Sequence, residues 1–207
     1  MTHPTSFRTI RIWDGSQQRS FEELCYQLRD PTPVNAELIK TGDPDAGVEW
    51  YIRRRNGVEW GWQAKYSFTI DDLLKEMAAS LKTVCEKRPR CRRLTFCIPF
   101  DLPDGRIGKE RKSARQKFED RKQRWAETIE GAKDVTIELW SEGDLLERLN
   151  TPANAGKAWF FWDQHVFSPE WCRERLRVTT EAAGERDRTP FMGPPVVRVG
   201  VCCSVAG

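Results

Sequence analysis

The dipeptide Asn56-Gly57 constrains the fold more than any other feature of the sequence. It separates two runs rich in Val, Trp, Tyr and Ile, at 48–54 and 58–66. An Asn-Gly pair between two such runs is the strongest local signal for a β-hairpin, because both residues tolerate the backbone angles of a tight turn. The sequence therefore predicts two antiparallel strands joined at this turn.

The register of this hairpin predicts that Glu49 lies close to Gln63 and Lys65. Side chains alternate faces along a strand, so Gln63 and Lys65 project to one side while Trp62 and Ala64 project to the other. Glu49 lies about as far before the turn as Gln63 and Lys65 lie after it, so these side chains meet across the ladder. A carboxylate beside a Gln-x-Lys can hold a divalent metal next to a water-orienting ammonium, which is chemistry that cleaves phosphodiesters.

Strands and helices alternate along the rest of the chain. The predicted elements are an edge strand over 7–13, a helix over 20–29 with Ser20 as N-cap, a strand over 36–40, a helix from the N-cap Thr69 through 87, a buried strand over 94–99, a loop over 101–108, a basic helix over 109–124, a strand over 135–140 and a helix from the cap Ser141 through 149. Alternation of this kind around a mixed sheet predicts an α/β sandwich.

Several short motifs, taken in order, resemble a nuclease family. Phe21-Glu22-Glu23-Leu24, Asp45-x-Gly47-Val48-Glu49 and Gln63-Ala64-Lys65 resemble the Mrr-like branch of the PD-(D/E)xK nucleases, in which a Gln commonly replaces the second acid of the signature. The order of motifs over about residues 7–180 is similar to that in the nuclease at the N-terminus of antiviral STAND NTPases. After the three motifs above, this order continues with the Pro99-x-Asp101-Leu102-Pro103-Asp104 loop, the basic helix and Glu138-Leu139-Trp140.

The resemblance implies a restriction-endonuclease-like α/β/α sandwich with a central mixed β-sheet, and a role for each matched residue. Glu49 would ligate Mg²⁺ or Mn²⁺, Gln63 would ligate the metal or orient its water, and Lys65 would stabilise the attacking hydroxide or the charge on phosphorus. Glu22 would approach from the first helix, and Asp45 would ligate the metal or shape the turn. The implied activity is metal-dependent cleavage of foreign or phage DNA in an antiviral defence system, with RNA as the other substrate.

Each of these residues also has a purely structural explanation. Glu22 is an acid of the kind favoured in the first turn of a helix. Glu49 and Lys65 would suit a cross-strand ion pair on a solvated face, and Asp43 and Asp45 would suit a turn. The joint pattern, more than any single residue, favours the catalytic interpretation.

Basic residues are clustered along the chain, although the net charge is only +3. The clusters lie at 53–55, 87–93 and 109–124, and the last predicts an exposed helix whose basic face tracks phosphates. Its candidate contacts to double-stranded DNA are Arg111, Lys112, Arg115 and Lys122. A solvated surface helix explains the same pattern.

Cysteine use and hydropathy favour a reducing, cytoplasmic location. The seven cysteines include no C-x-x-C pair, and two histidines supply neither a zinc framework nor a basis for His catalysis. The N-terminus lacks an apolar signal region, and no segment approaches the length of a membrane span. We therefore expect a soluble protein with no membrane partner.

The predicted organisation has three parts: a PD-(D/E)xK nuclease-like domain over 7–150, an aromatic C-terminal extension packed on it over 151–182, and an irregular tail over 183–207. Antiviral relatives continue into a nucleotide-binding module here, whereas this sequence has no G-x-x-x-x-G-K-[ST] motif and hence no predicted ATP site. The chain is then a truncated or frameshifted relative, or a stand-alone nuclease. Because such nucleases must be restrained in the host, a homo-oligomer or an activating partner is expected.

Two further functions fit the same sequence. The first is a catalytically inactive nuclease fold that binds nucleic acid, which would retain DNA affinity without metal-dependent cleavage. The second is a protein-docking module of a defence complex that uses its aromatic extension as the docking surface. Such a module would show no salt-dependent affinity for DNA.

Overall fold

The computed structural model of the chain describes residues 6–42, 45–104 and 112–162, together with 173, 176, 177 and 180. The chain divides into two units, Met1–Gln164 and His165–Gly207, and every element named below belongs to the first. In the second unit, the Thr180 hydroxyl donates a 2.8 Å hydrogen bond to the carbonyl oxygen of Leu176. The tail over 183–207 and the rest of the extension after 162, those four residues apart, lie outside the described residues.

A five-stranded mixed sheet lies at the centre of the first unit. Its strands are β1 (Ala36–Lys40), β2 (Trp50–Arg54), β3 (Glu59–Ala64), β4 (Cys91–Cys97) and β5 (Thr136–Trp140). They lie in sequence order across the sheet, with antiparallel pairing from β1 to β3 and parallel pairing from β3 to β5. The parallel half requires crossovers, and helices supply them.

Helices cover both faces of this sheet. They are α1 (Gln17–Gln27), α2 (Ile70–Lys87), α3 (Ala114–Thr128), α4 (Glu142–Leu149) and α5 (Ala155–Trp162), with short 3-10 helices at Phe7–Thr9, Ala132–Asp134 and Pro152–Asn154. One apolar core joins α2 and α3 to the sheet, and a second core joins α1, α4 and α5 to it. The predicted α/β architecture with a mixed sheet is therefore confirmed.

The predicted hairpin is confirmed as β2 and β3. Trp50 pairs with Trp62, and Ile52 pairs with Trp60. At the turn, the amide of Gly57 donates to the carbonyl oxygen of Arg54 (2.8 Å), and the amide of Val58 donates to the side-chain oxygen of Asn56 (3.1 Å). Gly57 has φ +78°, a conformation that glycine adopts without strain.

Most of the remaining element predictions are also confirmed. α2 begins after Thr69 and buries Leu73, Leu74, Met77, Leu81 and Val84 at helical spacing. β4 lies between β3 and β5, and its side chains enter both cores, as its continuous apolar run predicts. Ser141 caps α4. The basic helix begins at Ala114 and ends at Thr128, and residues 105–111 before it lie outside the described residues.

Two predictions at the N-terminus are wrong. The edge strand over 7–13 is replaced by the 3-10 helix Phe7–Thr9, because Phe7 and Ile10 must both enter the second core and three-residue spacing places them on one side of a turn. The N-cap of α1 is Ser16 instead of Ser20, so the helix starts nearly one turn earlier. Ser20 lies inside the helix, where its buried hydroxyl accepts from the amide of Trp13 (2.8 Å).

Within the described part of the chain, no helix combines the length and the apolar character needed to cross a lipid bilayer.

Candidate active site

The five residues predicted to form the catalytic site line one cavity of about 490 Å³, which lies at the end of the hairpin away from its turn. They are Glu22, Asp45, Glu49, Gln63 and Lys65. Glu22 comes from α1, Asp45 and Glu49 from the segment before β2, and Gln63 and Lys65 from the end of β3. Residues far apart in the sequence thus converge here because β2 and β3 pair and α1 packs across them.

Glu49 is fixed by hydrogen bonds that its position before β2 dictates. Its amide donates to the carbonyl oxygen of Trp62 (2.9 Å), which continues the ladder by one residue. Its carboxylate Oε1 accepts from the side-chain amide of Gln63 (2.8 Å) and from the backbone amide of Ala64 (3.2 Å). The predicted pairing of Glu49 with Gln63 is therefore what the structure has.

Two oxygen atoms in this pair are buried without a hydrogen-bond partner among the described residues. They are Oε1 of Gln63, which only accepts hydrogen bonds, and Oε2 of Glu49, which only accepts them when the carboxyl group is ionised. Leaving a buried acceptor unpaired costs about 1–3 kcal/mol, and more when the group is charged. Folded proteins tolerate such a cost rarely, so two neighbouring instances in a cavity require an explanation.

A hard divalent cation fits these two atoms. Mg²⁺ is bound in proteins by one or two carboxylates while it keeps several waters. The described residues contain no group of three or more His, Cys, Asp or Glu side chains able to hold a metal ion. Any metal here would thus rest on a carboxylate oxygen and an amide oxygen, with water completing its shell.

Burial raises the pKa of the Glu49 carboxyl well above its ordinary value. The negative charge of Glu22 raises the same pKa further, and Asp45 contributes in the same direction. The hydrogen bond from the Ala64 amide and the charge of Lys65 act against these effects without cancelling them. Without a cation, the cavity therefore disfavours the ionised carboxylate that metal binding needs.

Asp45 both shapes the turn before β2 and lines the cavity. Its Oδ1 accepts from the amide of Gly47 (2.9 Å), and its carbonyl oxygen accepts from the amide of Val48 (3.2 Å). The two central turn residues, Ala46 and Gly47, have φ +51° and +84°. The turn-shaping role considered for Asp45 is therefore what the structure has, and ligation of a metal by this residue stays a prediction; Asp43 lies outside the described residues.

Glu22 reaches the cavity from the second turn of α1, because this helix begins at Gln17. Stabilisation of an acid by the helix dipole falls off beyond the first turn, so that explanation for Glu22 weakens. Its Oε1 accepts a 2.9 Å hydrogen bond from the side-chain amide of Gln18.

Further polar residues of α1 and β1 line the cavity, and the sequence-based prediction missed them. They include Gln18, Arg19, Glu23, Tyr26 and Lys40. The four-residue spacing of Gln18, Glu22 and Tyr26 is the signal that places them on one helix face.

Lys65 does not form the cross-strand ion pair with Glu49 that was the structural alternative. Among the described residues, no carboxylate is in ion-pair contact with its ammonium. Its backbone amide donates to the carbonyl oxygen of Cys97 (2.9 Å), which anchors the residue to β4 just past the end of β3. Lys65 lines the cavity, and its positive charge acts on the carboxyl group of Glu49.

The three candidate DNA contacts that the structure describes, Lys112, Arg115 and Lys122, are not among the residues that line this cavity. Lys112 is ion-paired with Asp120, and its neighbour Lys117 is ion-paired with Asp71 of α2 at 3.0 Å. Arg115 and Lys122 are half-buried along α3. The fourth candidate, Arg111, lies outside the described residues.

Comparison of the chain with protein-family models gives no match, and comparison with curated proteins gives no relative.

Proposed function

We propose that this chain is a metal-dependent endonuclease that hydrolyses phosphodiester bonds of DNA. The observation that carries the proposal is the pair of buried oxygens on Glu49 and Gln63, which have no hydrogen-bond partner among the described residues and lie at a cavity that Lys65 also lines. Such a site joins two acceptors suited to a hard cation with one positive charge suited to phosphate. It matches the chemistry that phosphodiester hydrolysis needs.

Each residue has a defined role in this proposal. Glu49 Oε2 and Gln63 Oε1 would hold Mg²⁺ or Mn²⁺, which supplies charge neutralisation at the phosphate and a nucleophile from bound water. Lys65 stabilises the negative charge that develops on the phosphoryl oxygens. Glu22 accepts a hydrogen bond from water in the cavity, and Asp45 places a second negative charge beside the cation.

The wider assignment rests on the motifs and on the arrangement of the sheet. We infer a restriction-endonuclease-like fold of the Mrr-like branch, because Glu49 precedes the hairpin, Gln63-x-Lys65 ends it, and a mixed sheet separates two helical layers. Foreign or phage DNA as substrate, an antiviral role, a cytoplasmic location and an activating partner or homo-oligomer follow from the same resemblance. They are part of the proposal.

Cleavage of supercoiled plasmid tests the activity. We expect nicking or linearisation with Mg²⁺ or Mn²⁺ and none with EDTA. Lys65→Ala should lower the rate by about a hundredfold or more, since loss of one charge-stabilising group costs this much in comparable sites. Lys82→Ala, which removes an exposed lysine of α2, is the matched control and should cleave at the wild-type rate.

Cleavage that persists in EDTA, or that survives Lys65→Ala undiminished, contradicts the proposal. Intact plasmid under every condition, from protein with a cooperative thermal transition, contradicts stand-alone activity. DNA binding measured in the same samples then separates an inactive nucleic-acid-binding fold from a docking module.

A further inference from the structure

Arginines are concentrated at the turn end of the hairpin, opposite the candidate active site. Arg55, Arg90 and Arg92, here called the turn arginines, line a second cavity of about 470 Å³. The remaining lining residues are Asn56, Gly57 and Val58, so the cavity wall carries three positive charges and no carboxylate.

Two of the turn arginines have no acceptor for their guanidinium groups among the described residues. Arg55 and Arg90 are both exposed, and neither side chain makes an ion pair or a hydrogen bond in this part of the chain. The third, Arg92, is oriented by hydrogen bonds from its Nη1 to the carbonyl oxygens of Pro89 (3.0 Å) and Cys91 (3.3 Å). Most of the donor capacity of the cluster is therefore available to a ligand.

The backbone holds the turn arginines in place. The carbonyl oxygen of Arg90 accepts from the amide of Glu59 (2.9 Å), which ties the start of β4 to the start of β3. The guanidinium of Arg90 rests against the turn, since a Cβ on Gly57 would lie 3.0 Å from its Nη1. The position of this charge is thus set by contact with the hairpin.

The buried carboxylate of Glu59, at the start of β3, does not neutralise the cluster. Glu59 is buried and is already engaged by Arg53 (3.4 Å) and Arg88 (3.2 Å). Its single negative charge is shared by two arginines outside the cluster. The turn arginines therefore retain their full charge at the surface.

We propose that the turn arginines bind phosphate groups of a nucleic-acid backbone, at a site distinct from the Glu49 cavity. Arginine guanidinium presents planar, paired donors that match phosphate oxygens. The site lies about 20 Å from Gln63, given the rise of about 3.3 Å per residue along β3. It is better suited to this task than α3, where Lys112 and Lys117 are already paired with carboxylates.

Fluorescence anisotropy of a labelled duplex, with the full chain in EDTA, tests the proposal without any cleavage. We expect Arg55→Gln/Arg90→Gln to weaken binding about tenfold or more and to reduce the salt-dependence slope by about two, because each lost phosphate contact removes nearly one unit of slope. Lys75→Gln/Lys82→Gln removes the same charge from the exposed side of α2 and should change the affinity less than about threefold.

Two further variants and one further ligand complete the test. Arg55→Gln alone changes an exposed side chain that makes no ion pair or hydrogen bond with the described residues, so it gives an answer even where the double variant is destabilised; it should weaken binding about threefold. Arg55→Lys/Arg90→Lys keeps the charge but loses the paired donors, and should bind between wild type and the Gln variant. A nucleoside triphosphate replaces the duplex in a second series, because it carries the same phosphate chemistry in a small molecule.

Three results would overturn the assignment. One is a wild-type chain that does not bind duplex at low salt, and another is an arginine variant that loses no more affinity than the lysine control. The third is loss of triphosphate binding with unchanged duplex binding, which would assign the turn arginines to free nucleotides. These measurements do not use plasmid cleavage, so their outcome is independent of the test of the proposed nuclease activity.

Discussion

At the scale of single residues, the pair of Glu49 and Gln63 combines two costs. The carboxylate is buried beside the negative charge of Glu22, and each residue of the pair leaves one oxygen without a donor. Both costs disappear when a cation occupies the cavity. Residues that lower the stability of the protein in this way are typical of sites selected for function.

Replacing Glu49 by Gln should remove the part of the pH dependence of folding stability that comes from the Glu49 carboxyl group. The pKa of Glu49 is raised above its unfolded value of 4.5, so the native state binds more protons than the unfolded state between the two. This contribution to stability is complete below the unfolded pKa and is lost as the pH rises through the native pKa. In EDTA, Glu49→Gln should therefore match wild type at low pH and exceed it by about 1–3 kcal/mol at high pH.

Thermal unfolding across a pH series measures this difference. Mg²⁺ should stabilise wild type and leave Glu49→Gln unchanged, because ligand binding to the native state adds stability only where the site is intact. Glu76→Gln, on the exposed face of α2, is the matched control and should follow the wild-type curve. A constant offset between Glu49→Gln and wild type at all pH values would count against a raised pKa.

The sequence predicts those site residues whose positions are set by a local sequence pattern, and it does not predict the others. The Asn56-Gly57 turn fixes the register, and the register alone brings Glu49 to Gln63. The unpartnered state of their oxygens depends on what α1 brings to the cavity, and no local pattern encodes this. The packing of Tyr26 and Lys40 near the same cavity was missed for the same reason.

At the scale of elements, the turn before β2 is held against α2 by a glycine. A Cβ on Gly47 would lie 2.8 Å from the carbonyl oxygen of Ser80 and 2.9 Å from Cγ2 of Val84. Gly47 also has φ +84°, where L side chains are strained. The turn that carries Asp45 and leads into Glu49 therefore tolerates no side chain at residue 47.

Gly47→Ala should destabilise the chain by about 2–4 kcal/mol, because backbone strain adds to overpacking against α2. It should also reduce cleavage, since relief of the clash moves Asp45 and Glu49 together. Gly42→Ala is the control: an added Cβ there meets none of the described atoms within 4 Å, and we expect a change within about 0.5 kcal/mol. Denaturant unfolding of both variants measures their stabilities. Equal unfolding midpoints for Gly47→Ala and Gly42→Ala would contradict the predicted strain at residue 47.

The error at the start of α1 has a physical cause. Ser16 and Ser20 are both good N-caps by sequence, and the choice between them depends on the chain before the helix. Asp14 and Gly15 adopt φ +54° and +93°, which reverses the chain and delivers Ser16 to the first free amides. The hydroxyl of Ser20 is then used inside the helix, where the amide of Trp13 donates to it.

Helix α5 packs on the second core through Phe161, which has no exposed surface, and through the partly buried Phe160 and Trp162. Phe161 is fully buried, whereas Trp159 of the same helix is 46% exposed. Phe161→Ala should cost about 3–5 kcal/mol, as large-to-small changes of core aromatics do. Trp159→Ala is its matched control and should cost less than about 1 kcal/mol. Equal losses in urea denaturation would show that α5 does not depend on this contact.

At the scale of the whole molecule, the two cores sequester most of the described cysteines. Cys25, Cys91 and Cys97 are buried, and Cys85 is half-buried. Burial raises the pKa of Cys91 to about 11 and that of Cys25 as well, which lowers the fraction of reactive thiolate.

Among the four described cysteines, alkylation of the native protein should therefore modify Cys85 first. The three buried thiols should react at no more than about one hundredth of the Cys85 rate, because they become accessible only when the domain opens globally. Iodoacetamide pulses followed by peptide mass mapping measure each cysteine separately. If Cys25 or Cys97 reacted as fast as Cys85, then helix α1 would separate locally from strand β4 of the sheet.

Every residue of the candidate active site precedes α2 in the chain, yet the strand that carries Gln63 needs a later partner. β3 pairs with β4, and the amide of Lys65 donates to Cys97. A ribosome that has added Lys65 must still add 32 residues before β4 is complete, which at about 5–20 residues per second takes roughly 2–6 s. The nascent chain thus carries all side chains of the candidate site for seconds before β4 can hold them in place, so the cutting centre that we propose cannot assemble until synthesis has passed residue 97.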